Sequence, residues 1–176
     1  MNLPMQTPQP RPGQLLARGV SRLLFSYGFA AVEEFVPDRG KRVDVVGLGP
    51  KGELWVIECK SSRADYMADH KWHNYLPFCD RFFWAVGADF PVELLPEETG
   101  LIIADGYDAE ILRVGPETRV PPARRKQMMQ KFARHAALRL QGFRDPGVSA
   151  SGLSRAAEAP TAVSDLFDQQ AEISDP

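Results

Sequence analysis

The sequence predicts an α/β domain with a mixed central sheet flanked by helices, and three stretches carry that prediction. Gln14–Tyr27 has apolar positions at helical spacing, and Gly28 is suited to end a helix there. Two apolar runs, Val43–Leu48 and Leu54–Cys59, indicate a β-hairpin around a loop that contains Gly and Pro. Arg81–Val86 is apolar at nearly every position, which is typical of a strand covered on both faces. A sheet covered on both faces requires helices as its outer layers.

The remaining elements follow in chain order from the same patterns. We expect a strand, a helix opened by a serine pair, two further strands and a long final helix: Phe29–Val36, Arg63–Leu76, Leu101–Ala104, Glu110–Val114 and Pro122–Gln141. The domain is expected to span residues 14–142. Residues 1–13 are rich in proline and residues 143–176 in Ala, Ser and acids, so we expect a disordered leader and a disordered acidic tail.

Composition limits the possible classes of protein. With 176 residues, 44% hydrophobic and 25% charged, the chain has the size of one globular domain. The net charge of −2 argues neither for nor against a nucleic-acid partner. Cys59 and Cys79 lack the spacing of a metal site, and no signal peptide or membrane-spanning run is evident. A reduced, cytoplasmic location at the nucleoid, with no membrane partner, is the simplest expectation.

The hairpin carries charge where its period requires apolar side chains. Asp44 lies in the first strand, and Glu58 and Lys60 lie in the second, both on one face because strand side chains alternate. A five-residue loop over residues 49–53 pairs Leu48 with Leu54 and sets Asp44 opposite Glu58. A two-residue turn within the same loop would instead set Asp44 on the wrong face. We prefer the longer loop because it also pairs apolar residues along the hairpin.

A third acid can extend this pair into a row. If residues 37–41 form the preceding turn, Glu34 lies opposite Asp44, and three neighbouring strands carry Glu34, Asp44 and Glu58. Glu33 points to the other face and is a natural control.

Adjacent buried carboxylates repel, and a divalent cation would turn that repulsion into ligation. The candidate ligands of Mg²⁺ or Mn²⁺ are Asp44, Glu58, the backbone carbonyl of Cys59, and Glu34. Asp44, Glu58, Lys60 and Glu34 are the candidate catalytic residues, with Lys60 orienting water or stabilising charge on a phosphate. No Ser/His or Cys/His arrangement competes with phosphodiester hydrolysis.

Phosphate contact is expected from the sheet rim, from the positive end of the helix after Ser62, and from one basic stripe of the final helix. The candidate DNA contacts are Arg42, Ser61, Ser62, Arg124, Lys131 and Arg134. Asp65 is either a helix cap or a group near the metal. Asp69 would be explained by an ion pair with Arg42 or Arg81.

These residues resemble known nucleases. Asp44 followed by Glu58-Cys59-Lys60 resembles the PD-(D/E)XK signature, and the order of elements from Gln14 to Val86 is similar to that restriction-endonuclease-like core. The chain from about Gln14 to Gly142 also resembles the MmcB family, described as bacterial DNA-repair endonucleases. The residues that carry this likeness are 58–65, 69–72, Tyr75, 79–81, Phe90-Pro91, 96–101 and Ala104-Asp105. The resemblance implies a metal-dependent nuclease that acts on DNA in repair and in the DNA-damage response.

Three hypotheses remain open from the sequence. The first is an Mg²⁺- or Mn²⁺-dependent DNA endonuclease, and the second a DNA-binding repair accessory that does not cleave. The third is a partner-binding domain whose acids pair with Arg42, Lys60 and Arg81. Repair or replication proteins are possible partners through the tail, where Val163–Phe167 faintly resembles peptides that bind sliding clamps.

Overall fold

The fold is built on one sheet of six strands. The computed structural model describes residues 10–69 and 71–145. The strands are β1 Ala30–Asp38, β2 Lys41–Leu48, β3 Leu54–Lys60, β4 Arg81–Val86, β5 Gly100–Ala104 and β6 Ala109–Arg113. The α-helices are α1 Pro12–Ser26, α2 Arg63–Met67 and α3 Pro122–Arg144, with 3-10 turns at Trp72–Asn74, Leu76–Phe78 and Val92–Leu94.

The strands lie in the sheet in chain order, β1-β2-β3-β4-β5-β6. Strands β1, β2 and β3 form an antiparallel meander, β3, β4 and β5 run parallel, and β6 returns antiparallel to β5. The expected α/β class with a mixed sheet is confirmed, and the elements follow the expected helix–strand–strand–strand–helix–strand order. Strand bounds differ from the prediction by no more than two residues.

Helix α1 covers one face of the sheet. Its apolar side chains pack on Val45, Ile57 and Phe83, all of which are excluded from solvent. Burying each such side chain contributes about 1.5–3 kcal/mol. The helix ends as expected at Gly28, whose φ of 76° lets the Phe29 N–H return to the Leu24 carbonyl.

The other face is covered by the connection from β3 to β4, and here one prediction is wrong. The expected helix Arg63–Leu76 ends at Met67, and the chain continues irregularly into two 3-10 turns. Trp72 lies against Phe82 and Trp84 of β4, with ring centroids 5.4 and 6.0 Å apart. Asp65, Asp69, Trp72 and Leu76, which a continuous helix would place on one arc, therefore do not share a helical face.

The chain forms a first compact unit that ends at Ala133 and a second that begins at Arg134. In the first unit, α3 contributes Met128 and Phe132 to the core. The predictions for residues 1–9 and 146–176, including Val163–Phe167, lie outside the described residues. No helix within residues 10–69 and 71–145 is both long and apolar enough to cross a membrane.

Candidate metal and phosphate site

The hairpin adopts the register that sets the two acids side by side. Leu48 pairs with Leu54, and Val46 pairs with Val56, as the five-residue loop requires. The loop is closed by a hydrogen bond from the Gly49 N–H to the Glu53 carbonyl. Continued along the strands, this register places Asp44 opposite Glu58 on the face away from α1. The geometric expectation for the pair is therefore confirmed.

Each carboxylate of this pair is bound by the backbone of the opposite strand. The Cys59 N–H donates to Asp44 Oδ2 at 2.8 Å, and the Asp44 N–H donates to Glu58 Oε1 at 3.2 Å. Regular backbone pairing of β2 with β3 ends at Val45–Ile57. Beyond that point the two carboxylates, rather than backbone carbonyls, accept these strand N–H groups. Within the described residues, Asp44 Oδ1 and Glu58 Oε2 accept no hydrogen bond. These two oxygens are therefore the ones whose lone pairs are left for a cation.

The pair carries more negative charge than its surroundings compensate. Glu58 is 4% exposed, and burial together with the nearby Asp44 charge raises its pKa to about 8. Burial also raises the pKa of Asp44, although the Cys59 N–H and the Lys60 and Arg42 charges oppose this. Raised carboxyl pKa values mean that the ionised pair costs free energy, which a bound divalent cation would offset.

Lys60 lies beside the pair and is buried as well, at 6% exposure. Its ammonium donates to Asp69 Oδ2 at 2.6 Å and lies 3.9 Å from Glu58 Oε2. Burial lowers the pKa of Lys60, but the Asp69 hydrogen bond and the Glu58 charge raise it more, so the ammonium stays protonated. The expected partner of Asp69 was Arg42 or Arg81. That prediction is wrong, because Arg81 bonds Glu117 and Asp69 bonds Lys60.

Glu34 does not complete a row of three acids. Its flanking pairs, Glu33 with Val45 and Phe35 with Val43, would set it opposite Asp44, but its own φ is 52°. That value lies outside the β region, so the alternation of side chains is broken at this residue. The Glu34 carboxylate is 54% exposed and lies 3.8 Å from the Arg42 guanidinium. Among residues 10–69 and 71–145, no three His, Cys, Asp or Glu side chains form a group able to hold a metal ion.

The segment after α2 adds residues to the site that sequence reasoning missed. Asp69 reaches Lys60, Trp72 packs against Trp84, and the Tyr75 hydroxyl donates to the Arg42 carbonyl at 3.2 Å. Burial and the charges of nearby Glu58 and Asp69 raise the pKa of Tyr75 to about 12. The three-residue spacing of Asp69, Trp72 and Tyr75 was visible in the sequence. Its interpretation as a helix concealed what these side chains contact.

The turn between β3 and α2 is fixed by its own side chains. Ser62 accepts the Asp65 N–H at 3.2 Å, and Asp65 Oδ2 accepts the Ser61 N–H at 3.2 Å. Of the two interpretations of Asp65, the helix cap is the one that these contacts bear out. Because α2 has only five residues, the expected attraction of its N-terminus for an anion loses its basis.

The predicted DNA contacts are spread over several elements. The Arg42 side chain is 65% exposed at the start of β2, and Ser61 and Ser62 are exposed after β3. The other candidates lie on α3, where the Lys131 ammonium donates to the Pro37 carbonyl at 2.6 Å and Arg124 lies over the Phe78 ring. Arg134 lies on α3 at the start of the second unit. Contact of these residues with DNA stays a prediction.

Comparison with known proteins adds a family to this geometry. Residues 4–147 match the family described as DNA repair protein MmcB-like. A solved structure of a protein of unknown function from Silicibacter pomeroyi is 65% identical, with a TM-score of 0.79 over 81% of this chain and 97% of that one. A repair endonuclease from Pyrococcus abyssi is 17% identical, with a TM-score of 0.39 over 56% of this chain and 48% of that one. No curated protein matches the sequence. Since the family match spans most of the chain, the protein belongs to the MmcB-like family of DNA repair proteins.

Proposed function

We propose that this protein is a divalent-metal-dependent DNA endonuclease that hydrolyses phosphodiester bonds in repair. The single observation that carries the proposal is the pair of half-buried Asp44 and buried Glu58 with the Lys60 ammonium beside it. Membership in a DNA repair family supports DNA as the substrate. Burial opposes the ionisation of both Asp44 and Glu58. A purely structural domain gains nothing from placing two such carboxylates side by side.

The donors at the site are hard oxygens, which suit Mg²⁺ or Mn²⁺. Asp44, Glu58 and the Cys59 carbonyl would hold the ion, while Glu34 stays a weaker candidate because its carboxylate lies by Arg42. When bound, such an ion lowers the pKa of water and neutralises charge on a phosphate. The Lys60 ammonium supplies a fixed positive charge and hydrogen-bond donor next to that phosphate. Arg42 and the serines after β3 are proposed to contact the DNA backbone.

The third hypothesis, in which the acids serve only as partners of Arg42, Lys60 and Arg81, does not account for Asp44, because none of these three cations forms an ion pair with it. Arg42 lies by Glu34 and Arg81 by Glu117. Within the described residues, the one cation within 4 Å of Asp44 or Glu58 is Lys60, at 3.9 Å from Glu58. A non-cleaving, DNA-binding accessory with the same fold remains the alternative function.

A cleavage assay separates the endonuclease from the accessory. Flap, mismatched, nicked and single-stranded DNA would be incubated with the protein in Mg²⁺ or Mn²⁺, beside the Asp44→Ala variant. We expect at least one substrate to be cut by the wild type and not by Asp44→Ala. DNA binding without cleavage on any substrate would favour the accessory, and equal cleavage by both proteins would reject the proposed site.

A further inference from the structure

We propose that Asp69 is a positioning residue that holds the Lys60 ammonium away from Glu58 and so keeps Glu58 Oε2 available to a divalent cation. The inference rests on the proposed function, because it concerns the ligand that the site offers. The Lys60 ammonium lies between two carboxylates, 2.6 Å from Asp69 Oδ2 and 3.9 Å from Glu58 Oε2. The contact with Asp69 is a strong charge-assisted hydrogen bond, whereas the distance to Glu58 is too long for a hydrogen bond.

Asp69 is itself fixed so that one oxygen points at Lys60. Its Oδ1 accepts the Lys71 N–H at 2.9 Å, and its own N–H donates to the Tyr66 carbonyl at 3.0 Å. Backbone groups therefore bind both the main chain and one carboxylate oxygen of Asp69, and its Oδ2 is directed at the ammonium. A lysine side chain has a flexible four-carbon stem, so the position of its ammonium has to be set by contacts with other groups. Asp69 imposes it.

Removal of the Asp69 charge would leave Glu58 as the acceptor within reach of the ammonium. A shift of about 1 Å would bring Nζ to hydrogen-bond distance of Glu58 Oε2. The lysine would then occupy the oxygen that a cation needs, and its charge would repel that cation. Loss of Asp69 is thus expected to weaken metal binding through Lys60 rather than through a missing ligand.

A metal-free NMR experiment tests the positioning of Lys60 independently of any nuclease activity. Buried, hydrogen-bonded ammonium groups exchange slowly with water, so the Lys60 Nζ signal can be followed in ¹⁵N-labelled protein and assigned with Lys60→Ala. We expect Asp69→Asn to shift this signal, and the matched removal of an acid on the other face, Glu33→Gln, to leave it in place. An unchanged Lys60 signal in Asp69→Asn would overturn the inference, even if the protein proves to be an active nuclease.

Calorimetric titration with Mn²⁺ then tests the consequence for the metal site. Asp69→Asn is expected to weaken Mn²⁺ binding about tenfold, the order expected when one unit charge comes to ion-pair distance of a ligand. In the Lys60→Ala background the same substitution should have little effect, because no ammonium remains to move. An equal loss of affinity in both backgrounds would overturn the inference. Should Asp69→Asn fail to fold, Asp69→Glu keeps the carboxylate, and it should bind Mn²⁺ more tightly than Asp69→Ala.

Discussion

Glu58 in β3 and Asp80 directly before β4 are two buried acids with opposite electrostatic surroundings. Asp80 is 6% exposed, and both its oxygens are taken: the N–H groups of Leu54 and Val120 donate to it, and Arg125 binds it with two nitrogens. Burial raises the pKa of Asp80, but these contacts lower it below its usual value. Glu58 is buried to the same degree, accepts one N–H, and has its pKa raised to about 8.

The difference in compensation distinguishes an acid that stabilises the fold, Asp80, from an acid that is available to bind a cation, Glu58. Asp80 joins the start of β3, the chain at Val120 and helix α3 through Arg125, so its charge is fully used. Glu58 shares its surroundings with a second acid and with a lysine that is bonded elsewhere. Burial alone therefore does not identify a functional acid. A functional acid is one that is buried without enough hydrogen bonds and positive charges to compensate its own charge.

The largest effect is expected at the compensated acid. Asp80→Ala removes the acceptor of two N–H groups and the carboxylate partner of the Arg125 guanidinium, which keeps the Gly52 and Val120 carbonyls, and should lower the free energy of unfolding by about 3–5 kcal/mol. Urea denaturation followed by circular dichroism measures this. Glu117→Ala removes an exposed acid bonded to Arg81 and should cost less than about 1 kcal/mol. A small effect of Asp80→Ala would remove the contrast between the two acids.

The next effect is expected at the lysine of the site. Lys60→Ala should lower the rate of DNA cleavage by about 10²–10³-fold, the loss typical of removing one charged or hydrogen-bonding group from a transition state. Mn²⁺ binding should persist, since Lys60 is no ligand. Glu33→Ala changes a residue on the α1 face, where Ser21 contacts it, and should leave activity intact. Cleavage by Lys60→Ala at the wild-type rate would contradict the role given to Lys60.

A smaller effect is expected on stability as a function of pH. The pKa of Glu58 is about 8 in the folded protein and near 4.5 when unfolded, so its contribution favours folding at low pH and is lost as pH rises through 8. Glu58→Gln should therefore raise the melting temperature of the metal-free protein at pH 9 by several degrees, at about 2–4 °C per kcal/mol. At pH 5, only slightly above the pKa of the unfolded side chain, the difference in melting temperature should be much smaller. Asp80→Asn should instead destabilise the protein at both values, because the low pKa of Asp80 keeps it ionised throughout.

Much of this site was predictable because short-range chemistry determines it. The Gly and Pro residues of the 49–53 loop and the apolar pairing of Val46 with Val56 define the register, and the register places Asp44 by Glu58. The strand bounds follow from the same apolar runs. Gly28 ends α1 for a reason that is readable in one residue.

The segment after Ser62 was not predictable in the same way. Its sequence has helical spacing, but the Asp69 carboxylate takes the Lys71 N–H and the Lys60 ammonium, which competes with helix continuation. Trp72 is drawn to Trp84, a residue distant in sequence. The direction of the Glu34 side chain likewise depends on a positive φ angle that the local sequence pattern does not predict. These contacts are tertiary, so a single sequence does not reveal them.

The most direct measurement of the central claim is calorimetric titration of the metal-free protein with Mn²⁺ at pH 8. We expect one or more ions to bind, with affinity reduced at least about tenfold in both Asp44→Ala and Glu58→Gln and unchanged in Glu33→Gln. Affinity should also fall as pH is lowered, because below a pKa of about 8 a proton competes for Glu58. Absence of binding to the wild type, or equal binding by Glu58→Gln, would contradict the claim that Asp44 and Glu58 together hold a divalent cation.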